Sequence, residues 1–269
     1  MKNNEVGFNA KFAQLQLQYG ILKEQCANQL EMFTHLKEVV GPSLKSIYMM
    51  KIGQLEHQVF ELKAEIARWK RRFALRQTSL NRGEKPDLMA IEVQLDKEFA
   101  EYIEMVKKHI AEIKEAALVC GSEKLTDEEA TELRNCYLKA VKKLHPDINP
   151  DLPQSAKDLW TEIQNSYSEK DWQQVRFLAS LVESVVSGET GFAASPDGLA
   201  SLEQACANLR ARSQELVKQT AKLKSSPPFT YEALLDDEDL VLQRQQQLGA
   251  QIQSLEGCVR EYEEVWGNG

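Results

Sequence analysis

Closely spaced cysteines are missing from this chain: its five, Cys26, Cys120, Cys136, Cys206 and Cys258, include no CxxC unit. An odd, scattered set excludes a regular disulfide framework or zinc ribbon and points to a reducing compartment. Turn formers are scarce too, with 8 Pro and 13 Gly in 269 residues, so most of the length must lie in long helices. Aromatics are only 7%, thin for one large globular core. No apolar run approaches the roughly 20 residues of a membrane-spanning helix. The start, MKNNEVGFNAKFAQLQ, holds no apolar stretch of signal-peptide length. Both predict a cytoplasmic protein without membrane contact. A net charge of −8 argues against a chain-wide basic footprint for nucleic acid.

What the chain does have is apolar residues at helical spacing. Phe8, Phe12, Leu15, Tyr19, Leu22, Cys26, Gln29, Phe33, Leu36 and Val40 alternate steps of four and three, a heptad seam with one polar member, Gln29. Gly41-Pro42-Ser43 is expected to break that helix. A second seam runs through Ile52, Leu55, Val59, Leu62, Ile66, Trp69 and Phe73, which predicts an antiparallel hairpin with the first. Residues 81–87, with Gly83 and Pro86, read as a turn into a third amphipathic helix carrying Leu88, Ile91, Leu95, Phe99, Tyr102, Val106, Ile110 and Ile113. Each stripe needs the others to escape water.

The pattern changes near Gly121. Thr126 with Glu129 forms a capping box that starts a helix ending before Pro146. Pro150 and Pro153 bound a loop, a further helix runs to about residue 170, and Asp171 caps the next. Residues 188–198 read as a linker. Beyond them, Leu202, Cys206, Leu209, Leu216 and Leu223 form one stripe, and Val241, Leu248, Ile252, Leu255, Val259, Tyr262 and Trp266 another, with a proline turn between. These predict a C-terminal helical hairpin. The expected organisation is all-α: a bundle over 1–119, a small helical domain over 120–187, the linker, and a hairpin over 199–269.

The stretch from Tyr137 to Asp151 carries the chemistry. Leu133, Tyr137, Ala140 and Leu144 share one apolar face, and Lys139, Lys142 and Lys143 fall opposite. The following helix answers with Ala156, Trp160, Ile163 and Tyr167. Two such helices joined by a loop pack antiparallel and display His145, Pro146 and Asp147 at the tip. Pro146 biases His145 away from helical geometry.

These residues resemble the J-domain of DnaJ-like co-chaperones over about residues 126–170. Tyr137 and Lys139 match the family's YRK-like motif, Lys143 its later lysine, His145-Pro146-Asp147 its HPD tripeptide, and Trp160, Ile163 and Tyr167 its helix III, with Ser166 in place of alanine. Leu138 replaces the family's arginine, and the helix I signature is absent, with residues 100–119 available to supply that helix. No Gly/Phe-rich linker or zinc region follows, so the resemblance is to J-proteins that keep only the J-domain and add private modules.

The resemblance implies a co-chaperone that stimulates ATP hydrolysis by a DnaK-type chaperone. His145, Pro146 and Asp147 are the expected activation residues, and Lys139, Lys142 and Lys143 the docking residues. Tyr137, Leu144, Trp160, Ile163 and Tyr167 form the expected core. The helical arms would recruit clients or set location. The chain would be no enzyme and need no cofactor. The alternative is a helical scaffold or adaptor with a J-like fold that activates nothing. His145 and Asp147 as an acid–base pair lack a nearby nucleophile, and His35, His57, His109 and His145 lack metal-ligand spacing. Arg68, Lys70, Arg71 and Arg72 read as a solvated face, with an anionic partner surface as the alternative. The seams fit intrachain hairpins and a homodimer equally.

Overall fold

The computed structural model describes residues 2–121, 125–185 and 192–267. It is all-helical, with no strand among the described residues. The helices are α1 (Lys2–His35), α2 (Gly41–Tyr48), α3 (Gln54–Asn81), α4 (Leu88–Glu98), α5 (Ala100–Gly121), α6 (Asp127–Leu144), α7 (Gln154–Ser168), α8 (Trp172–Val185), α9 (Pro196–Lys224), the one-turn α10 (Glu232–Leu235) and α11 (Glu238–Gly267). Of the expected linker at 188–198, residues 188–191 lie outside the described ones, as does the side chain of Cys120.

The chain forms two compact units that interleave in sequence. One comprises Met1–Pro42 and Glu123–Phe229, the other Ser43–Ser122 and Thr230–Gly269. The expected division into three consecutive segments gives way to this one, and its physical cause lies at Gly41-Pro42. No reversal occurs there. Helix continues from Lys2 to Asn81 through two π-helical turns, Leu36–Val40 and Met49–Gly53. The Gly41 N–H bonds to the Leu36 carbonyl, and Gly41 keeps right-handed helical angles. The wider turn displaces the carbonyls that the Pro42 ring would strike, and proline has no donor to waste. A side chain at Gly41 would sit 3.2 Å from the Leu36 carbonyl and 3.4 Å from the Phe229 ring, so glycine here allows a close approach.

Without that reversal, α1 and α3 take other partners, and both pairings are parallel. In the first unit α1 lies along α9. Lys11 pairs with Glu203, Cys206 approaches the Leu15 carbonyl, and Gln29 accepts from Ser213, so both helices ascend together. Phe12, Leu202 and Cys206 are buried between them, with Leu15, Tyr19 and Leu22 alongside. Gln29, the one polar member of the seam, thus has a polar partner. In the second unit α11 lies along α3, with Glu56 facing Arg244 and Phe73 facing Tyr262. Ile52, Val59 and Leu248 form its core, and Trp69, Phe73 and Trp266 cluster at ring distances of 5.3–6.4 Å. The expected C-terminal hairpin is therefore replaced: α9 serves one unit and α11 the other.

The third seam, expected as one helix, breaks at Phe99 into α4 and α5; Ile91 and Leu95 are buried, whereas Leu88, Tyr102 and Ile110 of the same stripe are exposed. Asp87 caps α4 by accepting from the Met89 and Ala90 amides, and α4 and α5 run back along α3. Phe60 meets Tyr102 and His109, while Arg72 and Arg68 meet Glu92. The basic cluster on α3 is largely answered within the chain, since Arg71 also makes a two-point contact with Glu98. The Arg72 guanidinium, helped by Arg68, holds the Glu92 carboxyl down at about 2.

Two outcomes follow from this packing. Ile52 is fully buried, so Ile52→Ala should cost about 2–5 kcal/mol in urea unfolding. Glu92 has a folded-state pKa below its ordinary 4.5, so its contribution is complete above pH 4.5 and lost as pH falls toward about 2. Wild type should lose more stability than Glu92→Gln on acidification through that window, measured as the shift in urea midpoint. Both carboxylate and guanidinium are partly exposed, so the difference should be small.

Candidate functional site

Local sequence builds the tip. Both halves of the expected capping box are formed: the Glu129 amide donates to the Thr126 hydroxyl at 3.2 Å, and the Thr126 amide to the Glu129 carboxylate at 2.9 Å. From that start α6 turns Leu133, Tyr137, Ala140, Val141 and Leu144 inward. It ends where Pro146 demands, with His145 extended at φ −69°, ψ 127°. The Ile148 and Asn149 amides then bond back to the His145 carbonyl at 3.0 and 2.9 Å. Ile148 is buried and pins the loop, while the Asn149 side chain donates to the Lys142 carbonyl, one of the loose acceptors at the helix end.

Helix α7 begins after Pro153, which stands as its N-cap. It returns antiparallel to α6: Tyr137 stacks on Tyr167 at 3.9 Å, and the His145 ring meets the Trp160 ring edge-on at 5.2 Å. The chain turns into α8 through Lys170, whose φ of 60° is left-handed. The Asp171 amide bonds to the Ser166 carbonyl across that turn, and Asp171 caps α8 as expected by accepting from the Gln174 amide. The expected core residues Tyr137, Leu144, Trp160, Ile163 and Tyr167 are all buried in one cluster.

The helix completing this cluster is α1. Residues 100–119 belong to the other compact unit, which corrects the expectation that they would pack beside α6. Cys26 and Ala27 of α1 are fully buried in the core shared with α6 and α9. Their small side chains suit a place where three helices meet. Glu31, itself buried, accepts two bonds from Arg134 of α6, at 2.8 and 2.9 Å. His35 Nδ1 lies 3.0 Å from the Tyr167 hydroxyl. None of these α1 residues was identifiable as part of this site from spacing alone.

The proposed partner-facing residues divide into two sets. Pro146, Asp147 and Lys139 are exposed, whereas His145, Lys142 and Lys143 are half-buried. Lys142 reaches Glu24 of α1, and Asp147 reaches Arg212 of α9, both at 2.5 Å. Lys23 of α1 donates to the Asn149 side chain at 2.9 Å. Glu24, Lys23 and Arg212 are residues that sequence reasoning missed, being contacts across 65 to 126 positions.

Electrostatics follow from this burial. The His145 imidazole is pushed below its ordinary value chiefly by desolvation, with Arg212 adding to the effect and Asp147 opposing it. Its Nδ1 accepts from the Asp147 amide at 3.1 Å, which places the proton of the neutral ring on Nε2. His35 is lowered for the same main reason, with Arg134 adding. The Tyr137 hydroxyl is pushed up to about 12 by burial.

The arrangement is a turn braced by its own hydrogen bonds at the end of the α6–α7 pair. Among the described residues no three metal-ligating side chains converge, and no helix is long and apolar enough to cross a membrane. No protein-family model, curated protein or solved structure matches the chain.

Both histidines favour the neutral form in the fold, so their contribution is complete above about pH 6.5 and is lost as pH falls below it. The urea midpoint should drop between about pH 7.5 and about pH 5.5, and His35→Asn should drop less. An equal drop in both proteins would show that His35 is not responsible.

Proposed function

We propose that this chain is a co-chaperone of the J-domain kind, acting in the cytoplasm on a DnaK-type chaperone ATPase, and that it is not itself an enzyme. The observation carrying the reading is the His145-Pro146-Asp147 turn at the end of a tight antiparallel helix pair, with Pro146, Asp147 and Lys139 exposed. In this reading Lys139, Lys142 and Lys143 dock on an acidic surface of the ATPase, setting orientation and on-rate. The tip then favours one conformation of the partner, and the chemistry stays in the partner's nucleotide site.

The arms are proposed to recruit clients or fix location. The seams of α1 and α3 are covered within the chain by α9 and α11, so a homodimer would have to use other faces. Neither a cofactor nor nucleic acid enters the proposal.

A second reading is a helical scaffold that activates nothing. It is favoured by the engagement of Lys142 and Asp147 with this chain's own Glu24 and Arg212. A steady-state ATPase assay with a DnaK-type partner separates the two. The co-chaperone reading expects stimulated turnover by the full chain, and none from His145→Gln of unchanged helicity. Lys139→Ala should raise the concentration needed by about threefold or more. If the wild-type protein leaves turnover at its basal rate, the scaffold reading stands.

A further inference from the structure

The contacts between the tip and the α1–α9 pair form a pattern. Lys142, before the tip, meets an anion, Glu24. Asp147, within it, meets a cation, Arg212. Asn149, after it, accepts from Lys23, whose ammonium is pushed to a lower pKa by desolvation. Two helices distant in sequence thus meet Lys142 and Asp147 with opposite charges and Asn149 with a donor. The buried links lie alongside: Ile148 of the loop shares one core with Cys26 and Ala27 of α1 and Leu209 of α9.

We propose that the α1–α9 pair is an intramolecular dock for residues 142–149, and that a partner must displace Glu24 and Arg212 to use Lys142 and Asp147. This rests on the co-chaperone reading of the tip. The wild-type chain presents a divided surface: Lys139 and Pro146 stand open, whereas Lys142 and Asp147 are held. Because Ile148 is buried, release loosens the tip locally, including the Asp147 and Asn149 amides, while the loop keeps its anchor in the core. Both ion pairs are partly exposed, which keeps the dock weak enough for a partner to open. A protein whose competent state is only fractionally populated binds more weakly by that fraction.

The test compares the full-length wild type with Glu24→Gln/Arg212→Gln, each with and without His145→Gln, titrated against a DnaK-type ATPase. The double variant should reach half-maximal stimulation at about three- to tenfold lower concentration, with the same maximum and the same dependence on His145. Superimposable curves, both abolished by His145→Gln, would overturn the dock and leave the co-chaperone reading standing. No stimulation by either protein would remove that reading and the dock with it. Amide hydrogen exchange without any partner gives a second reading. The Asp147 and Asn149 amides should exchange about three- to tenfold faster in the double variant while core amides of α6 stay protected. Unchanged exchange at the tip would overturn the dock directly.

Discussion

The stack of Tyr137 on Tyr167 is the contact on which the first unit's geometry depends. It lies in a line of rings that crosses three elements. His35 of α1 meets the Tyr167 hydroxyl, Tyr167 stacks on Tyr137, Tyr137 leans on Trp160 at 5.5 Å, and Trp160 touches His145. Rigid side chains with only two rotatable bonds fix the relative positions of α1, α6, α7 and the tip at low cost in side-chain entropy. The polar ends of that line are accounted for as well, since His145 Nδ1 is occupied by the Asp147 amide. The orientation of the tip is thus set by interior packing and not by the loop alone.

A helix pair of this size cannot bury its own apolar surface. Helix α6 packs against α7, α8 and α1. The α1 contribution explains why Cys26 behaves as a small apolar residue: burial pushes its thiol up and keeps it protonated. It also explains why a carboxylate as enclosed as Glu31 is tolerated, because Arg134 meets both of its oxygens.

What was legible in the sequence was local. The Thr126 box, the end of α6 before Pro146, the Asp171 cap and the inward Tyr137, Trp160, Ile163 and Tyr167 follow from spacing and from side chains bonding to nearby backbone. What was not legible was partnership. A heptad seam states that a helix needs a companion, and says neither which one nor in which direction it runs. Gly41-Pro42 carries the usual signature of a break, and only the π-helical turns around it turn it into continuous helix. Arg212 and Glu24 give no sign in isolation, since a charged residue on an exposed helix position is the commonest kind of surface residue.

Parallel pairing carries a consequence for synthesis. Gln29 finds Ser213 across 184 positions, and Glu56 finds Arg244 across 188. While the ribosome is still making the middle of the chain, the apolar stripes of α1 and α3 have no companions and stand open to water. The α6–α7 hairpin, whose contacts span a few tens of residues at most, can close long before that. Helices α9 and α11 emerge after the ones they cover, so a nascent chain stalled before α9 would leave exposed the apolar faces of α1 and α3 that those two helices bury.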